Sequence, residues 1–342
     1  MSTPPPPPPL LILPPRKKYL RPLSLIQSAA LGAAYGVMLR VLISGPKWTN
    51  GHSTFAVMTI AFIVLGPTVI GFLTISQTQA QRPLPVWIWI FLPWISITLM
   101  MATTAVLALE GAICIAMAFP IALVCASIGG IIAGILSRRQ PINRTSALCL
   151  AVLPLLLAPA EARLNAPLET RTVASHILIH ASAATVWQNI ERVPAISPSE
   201  LTPTWPQRIG FPRPVEATLS YEGVGGVRHA SFERGLVFIE TVTAWEPQHR
   251  LAFGIRADSA QIPTATLDEH VTIGGRYFDV LDGEYRIEPL PNGDTLLHLT
   301  SHQRLSTDFN PYAGLWTDAV MQNLQTSILQ VIQHRCEHSA GG

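Results

Sequence analysis

The sequence predicts two unlike parts: an all-α transmembrane region of four to five helices, then an α+β domain whose antiparallel sheet packs on one long C-terminal helix. Three observations carry this. Hydrophobic residues make up 49% of the 342-residue chain, at a mean hydropathy of +0.34 that is high for a protein in water, and they concentrate in runs of bilayer length in the first half. Short alternating segments joined by glycine turns fill most of residues 171–305. From Asn310 to Glu337, Tyr312, Leu315, Trp316, Ala319, Val320, Leu324, Ile328, Val331 and Ile332 recur at three- and four-residue steps, with Asp318, Gln322, Gln325, Gln330 and Gln333 between them. That is the period of a helix burying one broad face, with Asn310 as its N-cap and Pro311 in the first turn. At roughly 40 Å long, such a helix needs a sheet to cover it.

Charge divides the chain at the same place. Residues 1–165 hold 11 Lys or Arg against Glu110 and Glu161, whereas residues 166–342 hold 12 Arg against 19 acids. The acidic second half argues against nucleic acid, which is bound through clustered basic residues. Lys17, Lys18 and Lys47 are the only lysines, so Schiff-base chemistry is excluded from the second half. Cys114, Cys125 and Cys149 sit in apolar runs, and Cys336 stands alone downstream, which excludes a disulfide or a cysteine-rich zinc site in that half.

In chain order, residues 1–22 form a tail with an unbroken proline run at 4–9 followed by Arg16, Lys17, Lys18 and Arg21. Apolar runs follow at about 23–44, 53–76, 86–109 and 111–136, each long enough to span a bilayer. Arg40 lies close enough to the end of the first to snorkel. Gly32 and Gly36, like Gly130 and Gly134, have the spacing that lets helix backbones approach closely, and the same faces could serve an oligomer. Pro67, Pro93 and Pro120 should kink their helices, and Trp87, Trp89 and Trp94 suit an interfacial belt. Intramembrane acids and histidines are almost lacking, which speaks against a carrier or channel.

Basic residues in the short loops place the N-terminus in the cytoplasm. The side taken by the downstream domain then rests on residues 145–160, whose apolar stretch is marginal for a bilayer. As a fifth span it carries the domain to the non-cytoplasmic side. Arg144 and the small residues Ala158, Ala160 and Ala162 also suit a cleaved export signal, with the same result. A re-entrant segment would leave the domain inside.

After a linker at 161–170, residues 171–180 read as a strand and Ala183–Glu191 as a short helix with Val186, Trp187 and Ile190 on one face. Residues 194–214 are proline-rich, read as an ordered loop or second short helix able to act as a flap. Strands follow at 215–222, 227–233, 236–246, 250–256, 277–288 and 294–305, with an irregular piece at 258–275. Glycines at 223–226, Arg234-Gly235 and Asn292-Gly293 provide the hairpin turns.

This order resembles the START-like helix-grip superfamily, which includes polyketide cyclases/dehydrases and lipid-binding domains. The resemblance covers about 170–338, and it rests on His180-Ala-Ser-Ala-Ala-Thr-Val-Trp187, on 242–253, on 283–297 and on the terminal helix. It implies a curved sheet gripping the C-terminal helix, with an apolar cavity between them for a hydrophobic small molecule or lipid. Residues 1–165 resemble no family we can name. A cyclase or dehydratase would need acid and base groups pointing inward, for which Glu240, Asp279, His229 and Tyr285 are the candidates. Tyr312, Trp316, Val320, Tyr285, Tyr277 and Phe238 are the candidate cavity lining. A third reading is a protein-docking module with a closed core. No cofactor signature appears, and no metal is expected: His176 and His180, like His298 and His302, stand roughly 13 Å apart along a strand, too far to share an ion.

Overall fold

In the computed structural model, residues 24–44, 58–78, 84–140, 142–161, 163–164, 166–258 and 273–338 are described. The proline-rich tail, Lys47, Arg82 and most of the irregular piece at 258–275 lie outside these.

The first half is an apolar helical bundle: α1 (Leu25–Ser44), α2 (Gly66–Thr78), α3 (Val86–Val106), α4 (Ala112–Arg139) and α5 (Arg144–Glu161). Four of these helices, α2 counted with the π-helical turn Ala61–Leu65 before it, are long and apolar enough to cross a membrane; α5 is shorter. That turn sits where Pro67 removes a backbone donor, and Gly66 N–H reaches back to the Ala61 carbonyl in its place. Pro93 and Pro120 lie inside unbroken helices.

Small residues set the helix crossings. A Cβ on Gly129 would stand 1.8 Å from the Thr68 carbonyl oxygen, and one on Gly71 1.9 Å from that of Ala126, so α2 and α4 meet backbone to backbone. Gly32 and Gly36 likewise face α2 and α3, and Gly130 and Gly134 face Trp89. These glycine faces are therefore occupied within the chain. Of the three tryptophans, Trp87 is exposed, Trp89 is buried under Arg138, and Trp94 donates to Ser127 Oγ at 2.8 Å.

Arg40 departs from expectation. It does not snorkel: it is buried, paired with Glu110, and its Nη2 donates to the Leu109 carbonyl at 2.7 Å. The tight turn between α3 and α4 carries a carboxylate into reach, so the guanidinium is matched where it is buried and does not extend to water.

The second half is one antiparallel sheet in the order β1-β7-β6-β5-β4-β3-β2, from β1 (Glu169–Ile179), β2 (Pro214–Leu219), β3 (Val227–Phe232), β4 (Val237–Glu246), β5 (Arg250–Asp258), β6 (Phe278–Pro289) and β7 (Thr295–Leu305). Between β1 and β2 lie α6 (Ala183–Glu191), capped by Ser182 Oγ accepting from Thr185 N–H, and the single turn α7 (Trp205–Arg208). The hairpin turns fall at the expected glycines, with Gly223, Gly225, Gly235 and Gly293 all at positive φ.

Helix α8 (Asn310–His338) runs along β1. Asp318 pairs with Arg171, Gln325 donates to the Val173 carbonyl, Gln333 to that of Leu178, and Glu337 accepts from the His180 N–H. The lengths agree: 19 helical steps cover about 28 Å and nine strand steps about 30 Å. Asn310 opens the helix from inside it, its Oδ1 accepting from Thr307 and its Nδ2 donating to the Pro167 carbonyl. Three residues of the helix are reversed from the periodicity: Leu315 and Ala319 are exposed and Gln325 is buried.

Candidate functional site

Alternation along the strands decides which groups face the helix. On β3 the inward set is Arg228, Ala230 and Phe232, and on β4 it is Phe238, Glu240 and Val242. Antiparallel register sets Arg228 opposite Glu240 and Ala230 opposite Phe238. On β5 the inward residues include Leu251 and Phe253, and on β6 Tyr285 and Ile287. Gly283 lies opposite Phe253 and leaves room for its ring, since a Cβ there would meet that ring at 2.6 Å.

Between the sheet and α8 lies a cavity of about 280 Å³. Its sheet wall includes Phe238, Phe253, Ile255, Val280, Tyr285 and Leu299, and its helix wall Tyr312, Trp316, Val320, Met321, Leu324 and Gln325. The loop before β2 adds Ile196, Pro206, Phe211 and Pro212. All six residues expected as cavity lining, Tyr312, Trp316, Val320, Tyr285, Tyr277 and Phe238, border it. Trp316 is half-buried and meets Trp205 edge to face at 6.0 Å.

Of the four acid/base candidates, Glu240 and Tyr285 face this cavity. His229 does not: it is exposed, one step out of phase with Arg228 and Ala230. Nor does Asp279 border the cavity. A β-bulge between Val280 and Asp282 shifts the register by one, so residues before it have the opposite parity to Tyr285. Strict alternation from Tyr277 to Ile287 misses that irregularity.

Arg228 is the residue sequence reasoning missed. It is 4% exposed, bonded to Glu240, which is 6% exposed, and its guanidinium lies 5.6 Å from the Phe253 ring centre and reaches the Tyr285 hydroxyl. Its Nε has no hydrogen-bond partner, and neither does Gln325 Oε1. Gln325 is otherwise fixed, its Nε2 donating to the Val173 carbonyl at 3.0 Å and to Ser301 Oγ at 2.9 Å. Burial pushes the Glu240 carboxyl up from the ordinary carboxylate range, and Arg228 opposes that shift. Burial works against the charge of Arg228, and Glu240 and Tyr285 more than restore it. Burial drives the Tyr285 hydroxyl up to about 12, so it stays a hydrogen-bond donor at neutral pH. The signal for Arg228 was available: an Arg four residues before the end of β3 and a Glu three after the start of β4, on strands otherwise apolar on that face.

The histidines lie elsewhere. His176 stands opposite His298 across β1 and β7, and His298, His302 and His180 each meet a carboxylate, Glu288, Asp282 and Asp294.

No family model matches the chain, and no curated protein sequence does. Solved structures similar to its second half include a START superfamily protein from Mycobacterium smegmatis, 14% identical with a TM-score of 0.33, covering 49% of this chain and 98% of that one. An aromatase/cyclase from a Streptomyces species is 18% identical with a TM-score of 0.34, covering 51% of this chain and 99% of that one. A protein encoded in the dynemicin biosynthetic locus is 16% identical with a TM-score of 0.30, covering 49% of this chain and only 48% of its own length. Seven antiparallel strands with β1 beside β7, curled about one long C-terminal helix, give the second half of the chain a helix-grip fold.

Proposed function

We propose that the chain is a membrane-anchored helix-grip protein that holds a hydrophobic small molecule or lipid between its sheet and α8. The observation that carries this is a largely apolar cavity with two unpartnered buried polar atoms, Arg228 Nε and Gln325 Oε1, among its lining residues. An apolar wall stabilises a lipophilic body, and a ligand oxygen could satisfy Arg228 while a ligand hydroxyl could donate to Gln325. Four apolar helices would hold the domain at a bilayer, where such ligands concentrate. The domain lies on the non-cytoplasmic side in this reading, with Arg138 and Arg139 at the cytoplasmic end of α4. Mass spectrometry of lipids and metabolites released from the detergent-extracted full chain tests it. A co-purifying apolar compound, lost in a variant carrying Arg228→Met with Glu240→Leu that still folds, is expected; a preparation that carries no such compound and takes none up from added lipid overturns it.

Catalysis is the second reading, because Glu240 and Tyr285 converge on one cavity. Binding is favoured over turnover: Glu240 is held by Arg228, and Tyr285 is too weak an acid to give up its proton readily. A docking module would have no use for the cavity.

A further inference from the structure

The bundle does more in this structure than an anchor requires. The cavity does not end at the helix-grip domain: Arg40, Phe62, Met101, Glu110, Met117 and Ala118 line it too. These residues come from the ends of α1, α3 and α4 nearest the Glu110 turn and from the π-helical segment before α2. Tyr312 of α8 ties the two halves at this junction, its hydroxyl donating to the Met117 carbonyl at 2.7 Å. Five of the seven methionines in the chain, Met58, Met100, Met101, Met117 and Met321, line this one space. Methionine is flexible and polarisable, suited to a wall that must fit a moving or variable apolar chain. Two buried ion pairs border the space, Arg228 with Glu240 in the sheet and Arg40 with Glu110 in the bundle.

We infer that the ligand site belongs to both halves: the Glu110 end of the bundle is the floor of the cavity, and an amphiphilic ligand lies across the junction. This rests on the reading that the cavity holds a hydrophobic ligand. An anchor that only tethers the domain would have no reason to contribute a buried ion pair and four methionines to the lining.

The test uses the full chain in lipid nanodiscs with an eighteen-carbon fatty acid carrying a mid-chain diazirine, and maps photoadducts by peptide mass spectrometry. Val320→Trp fills the cavity from α8, and Ala118→Trp fills it from α4. Expected in the wild type are adducts on Trp316 or Met321 and also on Met101 or Met117. Each blocking variant should lower both sets together by about tenfold, roughly 1.4 kcal/mol of affinity, because the indole takes space that the ligand chain needs. Adducts on the outward-facing Ile95 and Val124 should not change and report an intact bundle. If the variants clear the domain adducts while Met101 and Met117 label as in the wild type, the shared site is wrong and binding within the domain stands. If the wild type gives no adduct on Trp316 or Met321, the ligand-binding reading itself fails. Because the two substitutions approach from opposite sides, one that misfolds leaves the other to decide.

Discussion

The Arg228–Glu240 pair concentrates the chemistry of the cavity in two side chains. Neither can be removed alone without stranding the other. Glu240→Gln keeps the shape but leaves a buried guanidinium without a counter-charge, and it should cost about 3–5 kcal/mol in thermal unfolding followed by near-ultraviolet circular dichroism. Arg228→Met with Glu240→Leu removes both charges and should cost far less, so a double-mutant cycle that came out additive would contradict the pairing. Trp316→Ala tests the cavity wall: as half-buried lining it should lower ligand retention while costing well under the roughly 3–5 kcal/mol of a core tryptophan. A pH-dependent contact lies at the far end of α8. The Arg335 guanidinium bonded to Glu200 holds its carboxyl down at about 2, against an ordinary 4.5. A depressed carboxylate stabilises the fold fully above the unfolded value and loses that contribution as pH falls from about 4.5 toward 2. Arg335→Met should therefore flatten the acid limb of stability in that window and leave the dependence near pH 7 unchanged.

At the scale of elements, local chemistry wrote most of the fold into the sequence. Helix α6 has the expected bounds, and the glycine turns lie where their positive φ is needed. Period-2 alternation located every strand to within a few residues. What it could not locate is where alternation breaks. The bulge between Val280 and Asp282 turns Asp279 away from Tyr285, and nothing in that run marks an extra residue. Gln325 was hidden for a related reason: helical period assigns a glutamine to the outer face, and only the carbonyl of Val173 and the hydroxyl of Ser301 explain its burial. Arg40 and Glu110 are 70 positions apart, so their pairing depends on the packing of α1 against the α3–α4 turn. That packing rests on the glycine crossings. Gly129→Ala would drive a methyl group into the Thr68 carbonyl, backbone that has no rotamer to yield, and should lower the melting temperature of the bundle in detergent more than Gly254→Ala, which meets open space.

At the scale of the whole molecule, α5 decides which side of a bilayer the helix-grip domain would occupy. Its 18 residues rise roughly 27 Å, close to the 30 Å of a hydrocarbon core. Sequence length alone left this segment marginal, but its contacts run the full height of the bundle. Leu150 packs near Trp89, which lies under Arg138, and Tyr35 donates to the Ala151 carbonyl at 2.8 Å. At the other end Glu161 accepts from the backbone N–H groups of Ile60 and Ala61, at 3.0 and 2.9 Å, where α2 is approached from the Glu110 side. A carboxylate there satisfies helix-start donors that have no partner within the helix, which fixes the register of α5 against the bundle. In the proposed orientation α5 thus returns the chain from the Arg138 end to the Glu110 end, which places the domain over the shared cavity. A compartment reporter fused after Gly342 should read as non-cytoplasmic in the full chain. Deleting residues 144–161 should bring the same reporter to the cytoplasmic side, because one crossing is lost while Arg138 and Arg139 still hold the end of α4. A reporter that reads as cytoplasmic in both would contradict a fifth crossing and with it the side assigned to the domain.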